Sequence, residues 1–131
     1  MSSDDLRQRI EAIETGYEFM LAYAGQGLTS DAGSPKGEQV REYLVKAEAA
    51  MAALSALAKS LAGTSDPELA PIAAFMDVVD RDAVASRAAV AIVLSLPGIS
   101  SQVIDNLNAS IHLRALLTDL FLVDEVLKGL K

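Results

Sequence analysis

Carboxylates are the commonest side chains in this sequence that could do chemistry. Glu11, Glu14 and Glu18 recur at helical spacing, and Glu42, Glu48, Asp77 and Asp80 follow. A di-metal centre in a helix bundle takes a Glu from each of two helices and a Glu-x-x-His pair from each of the others. The chain has one histidine, His112, and no Glu-x-x-His, so neither a metal nor a cofactor is expected. Its carboxylates sit beside apolar positions, where solvated charges normally lie on an amphipathic helix. Without cysteine there is no thiol nucleophile, thiolate metal site or disulfide. Gly33-Ser34-Pro35-Lys36-Gly37 has the glycines of a phosphate cradle but lacks the Gly-x-x-x-x-Gly-Lys-Ser/Thr spacing. It reads as a connector.

His112 could in principle accept a phosphoryl group. Its helical neighbours Asp105, Asn108, Ala109, Ala115, Leu116 and Asp119 make a half-polar face. Four-helix phosphotransfer domains follow such a histidine with Lys-Gly, whereas Leu113-Arg114-Ala115-Leu116 follows here. The stretch from Leu6 to Glu14 resembles the opening of the helical chorismate mutases. That resemblance implies a substrate-binding arginine later on the same helix, and Met20 to Ala24 contains none. No catalytic set is complete, so a non-catalytic role is expected in preference to an enzyme.

Two arginines keep apolar company. Arg87 has Ala83, Val84, Val90 and Ala91 one turn away, and Arg114 has Ser110, Ile111, Leu117 and Thr118. A charge on such a face needs a partner, because burying it alone costs several kcal/mol. A chain reversal at Pro97-Gly98 would set Arg114 level with Asp80 to Asp82, and Arg87 level with Asn108 and near Asp105. Two ion pairs fixing that register are expected. The alternative is that one arginine binds an anionic ligand or a partner's carboxylate.

These side chains must be positioned by helices. Leu6, Ile10, Ile13, Tyr17, Met20 and Ala24 form one stripe, as do Val40, Leu44, Ala47, Met51, Leu54, Ala58 and Leu61. A third runs through Leu69, Ile72, Met76, Val79, Ala83, Ser86, Val90 and Val93. A fourth runs through Val103, Ile104, Leu107, Ile111, Leu117, Leu120, Phe121, Val123, Leu127 and Leu130. The expected helices cover about 4–24, 37–62, 67–96 and 101–129. Ser3, Asp4 and Asp5 can cap the first, and Gly25 and Gly27 end it. Gly63 to Pro67 and Pro97-Gly98 mark the later breaks, and Ser100 or Ser101 can cap the last helix. The connector 25–37 is longer than the 2–8 residues usual between bundle helices. No period-two alternation argues for a strand. The expected fold is all-α, an antiparallel up-down-up-down four-helix bundle in a single domain spanning 1–131.

Composition narrows the function classes. A chain of 131 residues with 51% hydrophobic residues is large and apolar enough to bury a core. Its net charge of −7 opposes nucleic-acid binding, which needs a basic face. The most apolar run, 83–96, is ~14 residues long, and crossing a bilayer takes ~20. With its polar, acidic N-terminus, the chain is expected to be cytoplasmic, without nucleic-acid or membrane partners. Tyr17, Phe19 and Tyr23 make helix 1 apolar on more than one side, and 83–96 is apolar nearly all round. One core cannot cover a whole circumference. The expectation is an interaction module (scaffold, accessory subunit or adaptor) that forms a homodimer or meets a protein partner through helices 1 and 3. The alternative is a small-molecule pocket between helices, lined by Tyr17, Tyr23, Tyr43 and Arg87 or Arg114.

Overall fold

The computed structural model describes residues 3–33, 35–62, 65, 67 and 70–129, the side chains of 3–5, 62 and 127 excepted. Among these residues the regular structure is all helical: α1 (Ser3–Ala24), α2 (Pro35–Ala62), α3 (Ala70–Leu94), α4 (Ser101–Ala109) and α5 (Ile111–Gly129). None of these helices is long and apolar enough to cross a membrane. The side-chain caps expected from residues 3–5, most of the break over 63–67, and Leu69, Leu127 and Leu130 lie outside what is described.

The apolar stripes form the core. Every position of the expected α2 stripe is buried, as are Ile72, Met76, Val79, Ala83, Ser86, Val90 and Val93 of α3. Buried residues of all five helices make one cluster. α2 packs between α1 and α3, while α5 lies on α3 and α4 on α1. Phe19 stacks on Tyr43 with ring centres 4.4 Å apart, so the end of α1 meets the start of α2. Arg41 near the start of α2 reaches the carbonyls of Leu94 and Leu96 at the end of α3. Arg7 of α1 meets Asp124 of α5 at 3.6 Å. Each of these neighbouring pairs therefore runs antiparallel.

The single helix expected over 101–129 is two. Ser110 leaves helical conformation at φ −57°, ψ 130°, and its N–H closes a tight turn onto the Leu107 carbonyl at 3.0 Å. Asn108 and Ser110 are weak helix formers, because their short polar side chains compete with the backbone for hydrogen bonds. The break lets α4 lean on α1 while α5 returns along α3, and it changes which residues stand level. Asp82, expected level with Arg114, faces Asp119 instead. It also turns two residues of the expected stripe outward: Ile111 is 74% exposed and Phe121 52%.

Candidate functional site

The long connector is fastened to the α3–α4 turn. Its Asp31 carboxylate accepts from Arg41 Nε at 2.6 Å and from the Ile99 N–H at 2.7 Å. Arg41 also donates to the Leu94, Leu96 and Pro97 carbonyls, at 3.3, 2.9 and 3.3 Å. These groups would otherwise be orphaned at the end of α3. The guanidinium beside Asp31 holds its carboxyl below the ordinary range, with the Ile99 amide assisting against the cost of burial. Gly37 makes the approach possible, since a methyl group there would overlap the Asp31 carbonyl. Ser101 completes the joint. Its Oγ donates to the Tyr23 carbonyl at 2.7 Å and accepts from Leu28 N–H at 2.9 Å, and its N–H donates to the Leu28 carbonyl at 2.8 Å.

Tyr23 belongs to this joint. It is fully buried, and its hydroxyl donates to the Ile99 carbonyl at 2.7 Å. Burial first, then the nearby Asp31 carboxylate, pushes its ionisation up against the opposing pull of Arg41. Phe19 lies half-buried between Tyr23 and Tyr43, with centroids at 6.4 and 4.4 Å. Tyr17 packs half-buried on the core. The second apolar side of helix 1 is thus covered within the chain, and Leu21 is its exposed remnant. Tyr43 borders an open cleft with Gln8, Glu11, Ala12, Thr15 and Lys46, the ammonium 5.9 Å from its ring centre.

The expected arginine pairs do not form. Arg87 and Arg114 are both exposed and have no ion-pair partner among the described residues. Small Ala83 and Ala91 and the altered α3–α5 register let Arg87 leave the core for solvent. Arg114 turns outward with Ile111 and Thr118. The tyrosines and these arginines therefore do not converge on one pocket. His112 is exposed on the first turn of α5. Among the described residues no three His, Asp or Glu side chains are grouped to hold a metal.

What the structure does assemble is a seam between α3 and α5. At one end Pro71, Ile72, Phe75, Leu122, Val123 and Val126 line a groove of about 230 Å³ with almost no polar surface. At its centre Asp119 faces Asp82. Desolvation first, then the hydrogen bond and the charge of Asp82, push the Asp119 carboxyl up to about 7. At the far end Ile92 and Ile111 project into solvent, 68% and 74% exposed.

No family model matches this chain, and no curated protein or solved structure matches it. The geometry of the seam therefore carries the functional reading by itself. An acid–base site needs a substrate cavity beside its titrating group. The lining of the groove next to the Asp82–Asp119 pair contains no titratable residue. A second cleft, of about 340 Å³ between α1 and α5, is charged, and its cations pair with Asp124. There Asp124 meets Arg7 at 3.6 Å and Lys128 at 3.2 Å. Burial, followed by Asp124, pushes Glu14 at its edge upward.

Proposed function

We propose that this chain is a non-catalytic helical interaction module, a scaffold, accessory subunit or adaptor, that self-associates through the exposed seam of α3 and α5. In this reading the fold is an antiparallel four-layer bundle whose fourth layer is α4 and α5 in succession. One observation carries it. Six of the eight large hydrophobic side chains exposed among the described residues lie on these two helices, and four of them, Ile92, Ile111, Leu122 and Val126, flank the seam, while Val84 and Phe121 stand on the outer faces of α3 and α5. Scattered exposed aliphatics are ordinary, but a contiguous apolar face marks a contact surface. The expected pairing of helices 1 and 3 is thereby replaced by α3 and α5, because α1 spends its aromatic side chains on α2, the core and the α3–α4 turn. Light scattering on the purified chain should give twice the monomer mass at micromolar concentration. A clean monomer overturns the self-association.

A further inference from the structure

Building on that self-association, we infer that the seam docks a second copy of the same chain about a twofold axis passing near Ala85 and Thr118. The seam is complementary to itself. Phe75 stands against Leu122 and Val126 in the groove, and Asp82 against Asp119 one step further. Carried on, the same antiparallel register brings Ile92 to within a turn of Ile111. From Phe75 to Ile92 is about 25 Å at ~1.5 Å per residue. A half-turn about the midpoint lays the projecting isoleucines of each copy over the groove of the other, twice in the dimer.

The middle of the seam admits close contact. Ala85, Ala88 and Ala115 present only methyl groups there, which lets helices pack near the lower end of the ~8–10 Å range. Charge selects the same face. Two chains of net charge −7 repel, and α1 carries Glu11, Glu14 and Glu18. The outward charges along the seam are balanced, Arg81 and Arg114 against Asp77 and Glu125, with Asp82 and Asp119 half-buried between the helices. A basic partner would be drawn to α1, whereas an identical acidic chain meets least opposition here. A strip ~25 Å long and two helices (~20 Å) wide covers on the order of 500 Å² per copy. The pair then reaches the ~1,000 Å² total that a specific interface has to clear.

The chain's lack of cysteine allows a direct test. In the Ile92→Cys/Val126→Cys variant the two thiols lie at opposite ends of the seam, too far apart to be joined within one chain by a short bis-maleimide. The expected result is a covalent dimer on denaturing gels, with Leu21→Cys on α1 giving none. Leu122→Glu should weaken the dimer about ten-fold or more with the helical circular dichroism unchanged, while Leu21→Glu leaves it intact. A dimer by light scattering that cross-links through Leu21→Cys and not through the seam pair overturns the twofold seam and leaves self-association standing. A monomer at tens of micromolar overturns both. The cross-linking result decides the matter even where Leu122→Glu fails to fold.

Discussion

Asp31 and Asp119 both lie against a second ionisable side chain, and they answer to pH in opposite directions. Asp31 is held ionised by Arg41 and the Ile99 amide. Its contribution is complete above the ordinary carboxylate range near 3.8 and disappears as pH falls through its lowered folded value. Asp31→Asn should cost about 1–2 kcal/mol at pH 7, the low end for charged hydrogen bonds because Arg41 is one-third exposed. Urea titrations should show that difference closing toward pH 2. Asp119 works the other way. The unfolded chain releases its proton near 3.8 and the folded chain near 7, so folding retains a proton between those values and stability declines as pH rises through that window. Asp119→Asn should therefore raise the melting temperature by about 3 °C at pH 8 and change it little at pH 3.5. Equal effects at both pH values would show that the Asp82–Asp119 contact does not govern the titration.

At the scale of elements, the two serines flanking α4 separate a working cap from an idle one. Ser100 Oγ accepts from the Val103 N–H at 3.1 Å, whereas Ser110 Oγ is buried with no partner. Ser100→Ala should lose about 1 kcal/mol, and Ser110→Ala should stay within about 0.5 kcal/mol of wild type or gain stability. Chemical denaturation of the two variants checks both values. A large loss for Ser110→Ala would mean that its hydroxyl, not the local backbone preference, makes the break. The same contrast explains what was legible beforehand. Stripes such as Val40 to Leu61 are written in spacings of three and four, and burial follows them residue by residue. The cap at Ser100 follows from its place after Pro97-Gly98. The break at Ser110 lacks Gly and Pro, so periodicity runs through it, and Ile111 and Phe121 look like core. Contacts such as Asp31–Ile99 and Tyr23–Ile99 join residues about 70 apart, and no local spacing encodes them. The apolar excess over 83–96 was visible and Val84 and Ile92 are indeed exposed. The contribution of α5 to the seam was hidden by the break that rotates it.

For the whole molecule, the seam couples assembly to proton binding. Docking a second copy over Ala85 and Thr118 removes water from the neighbourhood of Asp119, whose carboxyl is raised by burial and by Asp82 of α3. Further desolvation favours the neutral form, so association takes up protons near neutrality and should be tighter at pH 6 than at pH 8. The other charges beside the seam are Arg81 and Asp77 on α3 and Arg114 and Glu125 on α5. General repulsion between two acidic chains is screened by salt, and 0.5 M salt should weaken it without abolishing the pH effect. Sedimentation equilibrium should show an apparent Kd several-fold lower at pH 6 than at pH 8. Asp119→Asn should make the two values equal, fixed near the pH 6 affinity of wild type. His112 is exposed beside Ile111 on the first turn of α5. A pH dependence that survives in Asp119→Asn and vanishes in His112→Gln would move the coupling from the centre of the seam to its end.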